Sequence, residues 1–120
     1  MKIVVVVSRN LMDLSKVRAA ARLTDNDIVT CSSHSRIISM MSAGAGDRRF
    51  KLIFDQNLYS DSDLKLAISQ IEDTALKYKI RGTEFLAFAH HEKIDTLKAT
   101  IPEVEFVPRS KFFYEVVKYL

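Results

Sequence analysis

A short apolar run, Lys51-Leu52-Ile53-Phe54, ends in Asp55-Gln56-Asn57, and this acid with its two amides is where the chain first offers chemistry. A carboxylate at such a point serves as an acid, a base or one half of an ion pair, according to what surrounds it. Three other polar clusters stand at comparable places: Ser8-Arg9-Asn10 after a valine-rich run, His90-His91-Glu92 after Phe85-Leu86-Ala87-Phe88-Ala89, and Pro108-Arg109-Ser110 after Val104-Glu105-Phe106-Val107. Together they predict a pocket around Asp55 made of Ser8, Arg9, Asn10, Asn57, Ala89, His90 and Arg109. Within it, Arg9 is expected to pair with Asp55 through a charge-assisted, bidentate bond.

Other constellations have plainer readings. Histidine and carboxylate are zinc ligands, but neighbours in sequence such as His90, His91 and Glu92 rarely converge on one ion, so no metal is assigned. Cys31 would need a base and an electropositive surrounding to act as a nucleophile, and reads as a half-buried structural thiol. Gly44 and Gly46 do not follow a strand and open a helix, which excludes a dinucleotide or phosphate loop. No cofactor is implied.

These clusters must be positioned by strands and helices, and the strands are legible. Residues 2–7 are almost all valine or isoleucine without alternation, the pattern of a strand covered on both faces. Asn10 caps a helix, with Asp13 at its third position in a variant of the capping box; Leu11, Leu14, Val17 and Ala21 recur at helical spacing until about residue 23. Residues 28–31 form a second strand, followed by a helix carrying Ile37, Ile38 and Met41 inward and stopped at 43–46. The third strand covers 50–55. The longest helix begins at Asp61, buries Leu64, Ile68, Ile71 and Ala75, and is expected to end at Gly82. Strand four spans 84–89, a weaker helix 91–100, strand five 104–107, and a last helix 110–120 faces Phe113, Val117 and Leu120 inward. That leaves Phe112, Tyr114 and Tyr119 as candidates for a partner surface.

Five strand-helix units with short connections predict one α/β domain over 1–120, a doubly wound, flavodoxin-like parallel sheet of order 2-1-3-4-5 with helices on both faces. The 120 residues suffice for a core without disulfides, and the single cysteine requires no oxidising compartment. No run approaches a membrane span, and the opening apolar stretch is too short for a signal peptide, so a cytoplasmic location is expected. The net charge is +3, but the 18 lysines and arginines are spread among 15 acids, which reads as solvated surface and not a nucleic-acid footprint.

Over its whole length the chain resembles the CheY-like receiver domains of bacterial response regulators, in size, in its five strand-helix units and in Asp55 at the end of strand three. The resemblance implies that Asp55 matches the phosphoryl acceptor. The family's magnesium-holding acidic pair falls on Ser8 and Arg9, or on Val7 and Ser8 one residue earlier. Its strand-four hydroxyl falls on Ala89, and its lysine-proline pair on Arg109 and Ser110. A site of this composition should hold magnesium poorly and lose the main neutraliser of charge in phosphoryl transfer. The expectation is a pseudo-receiver: a non-catalytic signalling or interaction module working through a protein partner or homodimer at its last helices and strand five. Two alternatives stand beside it, a small-molecule or anion-binding domain using Arg9, Asn10, Asn57 and Arg109, and an enzyme using Asp55 or His90 as acid or base.

Overall fold

Valines can fill a strand without alternation only if both faces are covered, and β1 (Lys2–Val7) meets that condition in the computed structural model. Val4 and Val6 enter a cluster with Leu14 and Val17, whereas Ile3, Val5 and Val7 enter a larger one with Ile37, Met41, Leu64 and Ile68. The residues described are 2–22, 28–44 and 48–118. Around β1 stand β2 (Ile28–Cys31), β3 (Arg49–Asp55), β4 (Glu84–Ala89) and β5 (Val104–Pro108), in the order β2-β1-β3-β4-β5 with every pairing parallel. This is the expected doubly wound topology.

The helices are α1 (Leu11–Ala21), α2 (Ser35–Ala43), α3 (Asp61–Lys77), α4 (Ile94–Thr100) and α5 (Phe112–Val117). Right-handed crossovers place α1 and α5 on one face and α2, α3 and α4 on the other. The two apolar clusters follow this division. Val4, Val6, Ile53, Leu86 and Phe88 pack with Leu14, Val17, Phe112 and Val116, while Leu52, Phe54, Phe85 and Ala87 pack with Ile37, Leu64, Ile71 and Leu97. Because side chains alternate along a strand, Asp55 shares the face of Ile53, toward α1 and α5.

Three boundaries depart from expectation. α3 stops at Lys77 and not at Gly82, because Lys79 adopts the left-handed conformation at φ 57°. The Ile80 amide donates to the Ala75 carbonyl at 2.8 Å and the Lys79 amide to Leu76 at 3.2 Å, the paired bonds that close a helix end. Gly82, also at positive φ, shapes the turn into β4. The Asn10 cap is present, its Oδ1 accepting from the amides of Met12 and Asp13, but the reciprocal half of the box is not: the Asn10 amide donates to Ser8 Oγ at 3.1 Å.

The third departure concerns α5, whose buried residues are Phe112 and Val116. A 3-10 turn over Arg109–Lys111 delays the helix and rotates its inward stripe. Phe112 is therefore core and not partner surface; its ring meets Phe88 edge-on at 4.6 Å. Tyr114 is 66% exposed, as expected, with the Lys118 ammonium 4.9 Å from its ring. The side chains of Phe113 and Val117, and residues Tyr119 and Leu120, lie outside the described residues. Among the described residues no helix is long and apolar enough to cross a membrane.

Candidate functional site

Asp55 ends β3 on the α1/α5 face, and its surroundings follow from that placement. Its carboxylate is buried, and the group it meets is Arg109, with Nη1 at 2.6 Å from Oδ1. Arg109 opens the turn after β5; β5 sets Pro108 beside Ala89 of β4, and β4 in turn sets Phe88 beside Asp55. The same guanidinium donates from Nη2 to Asp13 Oδ2 at 3.2 Å. The Nη1 contact is short but out of line for an N–H donor, so it acts chiefly through charge, while the Nη2 contact is a directed bond. A third bond comes from the main chain, where the Asn57 amide donates to Asp55 Oδ1 at 3.1 Å.

One cation thus joins two acids, the three groups coming from three elements, and the expected Arg9–Asp55 pair is replaced by an Arg109–Asp55 pair. The period of two gives the reason. Ser8 continues the Val4 and Val6 face and is fully buried, whereas Arg9 steps to the opposite side and is exposed. Asp13 went unread as a site residue because its position in the helix suggested a capping role. The available signal was geometric: the first turn of a helix that follows β1 stands over the carboxyl edge of the sheet.

The remaining expected pocket residues disperse. Asn10 is committed to its cap, and the Asn57 side chain is exposed. Ala89 is buried and offers no polar group. His90 is 60% exposed, stacked on His91 at 4.6 Å and 3.9 Å from Glu92. The ligand atoms of His90, His91 and Glu92 lie within 4.8 Å of one another, but all three residues are exposed. Gln56, which sequence reasoning passed over, is buried and ties its loop together by donating to the Tyr59 carbonyl and to Asp61 Oδ1. Coordinating a divalent cation at Asp55 would require Arg109 to leave both carboxylates, so the residues as placed do not fit a magnesium site.

A separate cleft of about 360 Å³ opens on the other side of the β3–α3 loop, where Arg9, His34, Tyr59 and Gln70 meet. His34 is bonded through both ring nitrogens, Nδ1 to the Tyr59 hydroxyl and Nε2 to Gln70 Oε1, each at 3.1 Å. Burial pushes the Tyr59 phenol above its ordinary value, while a bond from the His34 backbone and the Arg9 charge pull the other way. Tyr59 is consequently a neutral hydroxyl at physiological pH. Gln70 Oε1 can only accept, which puts a proton on Nε2 and leaves Nδ1 of the neutral ring to accept from the Tyr59 hydroxyl.

Comparison with protein-family models gives no match, and comparison with curated proteins gives none either. Among solved structures, a de novo designed Rossmann 2x3 fold protein determined by solution NMR is similar over 98% of this chain and 85% of its own, with a TM-score of 0.60 and 22% identity. That likeness speaks to fold alone, and it agrees with the five-stranded parallel sheet: the chain has a flavodoxin-like α/β fold.

Proposed function

We propose that this protein is a pseudo-receiver, a signalling module that performs no chemistry of its own and acts through contact with another protein or a second copy of itself. One observation carries the reading: Arg109 occupies the acceptor-equivalent pocket and is paired with both Asp55 and Asp13. In the receiver domains that the chain resembles, the strand-three aspartate is phosphorylated with the help of a magnesium ion held by acids after strand one. Here Ser8 and Arg9 take those positions; Ser8 is buried against the Asn10 amide, and Arg9 belongs to the cleft. The carboxylate that does approach, Asp13, is already bonded to a guanidinium.

A fixed cation in that place changes the logic of the site. Phosphoryl transfer relies on a metal to bridge and neutralise the transferring oxygens, and a guanidinium paired with two carboxylates cannot take that bridging role. What it can do is join α1, the end of β3 and the start of α5 in one arrangement. Output would then depend on which surface that arrangement presents. The face of α4, β5 and α5 is the proposed contact region, with Tyr114 beside Lys118 as its aromatic anchor.

Magnesium titration of the free protein, followed by the amide resonances of Asp55, Gln56 and Asn57, tests the reading. No saturable shift is expected through millimolar magnesium. A saturable shift confined to those residues and Asp13 would mean that the cation displaces Arg109, and the reading would be wrong.

A further inference from the structure

In a doubly wound sheet the chain leaves neighbouring strands toward opposite faces at one point, and the gap between the departing loops is where ligands collect. Here that point lies between β1, whose chain turns to α1, and β3, whose chain turns to α3. The 360 Å³ cleft opens beside that point, lined by Arg9 after β1, His34 after β2, and Tyr59, Asp63, Leu66 and Gln70 from the segment after β3. Its volume is near the lower end of the roughly 300–1,000 Å³ typical of small-molecule sites.

Charge decides what would fit. Arg9 and Asp63 both line the cleft, both are exposed, and among the described residues neither side chain has an ion-pair or hydrogen-bond partner, each other included. A simple anion would meet Arg9 but also the Asp63 carboxylate, and a simple cation would meet the reverse conflict; a molecule carrying both charges satisfies both. Leu66 adds a third requirement. It is 58% exposed although it is a large aliphatic residue, and it contributes an apolar wall. The braced trio of His34, Tyr59 and Gln70 adds fixed polar atoms to the same lining, so that part of the wall needs no ordering on binding.

We propose that the cleft binds a small zwitterion, a free α-amino acid with an apolar side chain, its carboxylate on Arg9, its ammonium on Asp63 and its side chain against Leu66. Asp63 stands in the first turn of α3, where the positive helix end offsets part of its charge, so the Arg9 contact is the stronger of the two. The inference is independent of the reading of the Asp55 pocket.

Amide chemical-shift titrations with L-leucine, with isoamylamine, which lacks its carboxylate, and with N-acetylleucine, which lacks its ammonium, test the proposal. Leucine should give saturable shifts at Ser33, Tyr59 and Leu66, N-acetylleucine weaker ones and isoamylamine none. Arg9→Gln should weaken leucine binding by about ten- to a hundredfold, the range for a lost charge-assisted hydrogen bond, and Asp63→Asn by less. Both residues are exposed, so an unchanged thermal midpoint and an otherwise unchanged amide spectrum will separate loss of binding from loss of fold. Absence of saturable shifts with leucine at millimolar concentration would overturn the proposal. Equal binding of either analogue, or undiminished binding by Arg9→Gln, would overturn it as well.

Discussion

Replacing Arg109 with alanine leaves a buried carboxylate without its cation, and the cost can be bounded from the exposures of the three partners. The Asp55 side chain is 6% exposed, Asp13 24% and Arg109 31%. Removing one member of a fully buried pair costs about 3 to 5 kcal/mol, whereas an exposed pair contributes about 0 to 1 kcal/mol. Arg109 is nearly a third exposed, and Asp55 retains the Asn57 amide, so the expected loss is about 1 to 3 kcal/mol. In urea that lowers the unfolding midpoint by about 1 M at an unchanged slope. The sign of the coupling is the sharper test. Asp55→Asn alone should cost less than Arg109→Ala, because the arginine left behind reaches both solvent and Asp13. Added to Arg109→Ala, Asp55→Asn should recover part of the loss, since no uncompensated charge remains. A loss of only a few tenths for Arg109→Ala, or single-variant losses that simply add in the double variant, would refute the bridging account.

Phe112→Ala removes a ring packed edge-on against Phe88 and should cost about 3 kcal/mol by equilibrium unfolding; a change no larger than at a surface site would return Phe112 to the exterior. Tyr114→Ser should leave stability unaltered and abolish any concentration-dependent association of the parent chain in sedimentation velocity; equal association of parent and variant, or a monomeric parent at high concentration, would rule out self-association through this face. Burial raises the Cys31 thiol above its ordinary 9.0, against opposing pulls from a Ser33 backbone bond and the Arg36 charge. The unfolded chain therefore releases this proton first, so stability falls as pH rises through about 9, and Cys31→Ala should flatten that alkaline decline without altering stability near neutrality. Identical alkaline slopes for the two proteins in urea would show that the thiol does not contribute.

The architecture was legible because apolar pattern and topology reinforce each other. Unbroken valines in β1 required two covered faces, and five strand-helix units with right-handed crossovers left few sheet orders to choose from. Asp55 was legible for the same reason, as a polar residue closing an apolar strand. Its partner was not, because proximity to the strand ends nominated Arg9 and Arg109 alike, and only the alternation of side chains across the sheet separates them. Ile53 and Asp55 share a face, Val6 and Ser8 share the same one, and Arg9 falls on the other. The end of α3 was misplaced because a lysine adopted the left-handed turn that glycine usually takes, which no propensity argument selects. In α5 a single 3-10 turn before the helix goes with Phe112 and Val116 facing the core: a shift of one residue rotates a helix face by about 100°.

Arg109 stands with Asp55 at the end of β3, the place that the proposed pseudo-receiver reading equates with a phosphoryl-acceptor site. Beryllofluoride with magnesium, which mimics a phosphoryl group on an aspartate, addresses it most directly, read by the amide resonances of Asp55, Asn57, Ala89 and Arg109 in the parent protein. The expected spectrum is indistinguishable from that of the protein alone. A stable adduct on Asp55 with saturable shifts at those amides would contradict it, because the guanidinium would then have yielded both carboxylates to a metal and an anion.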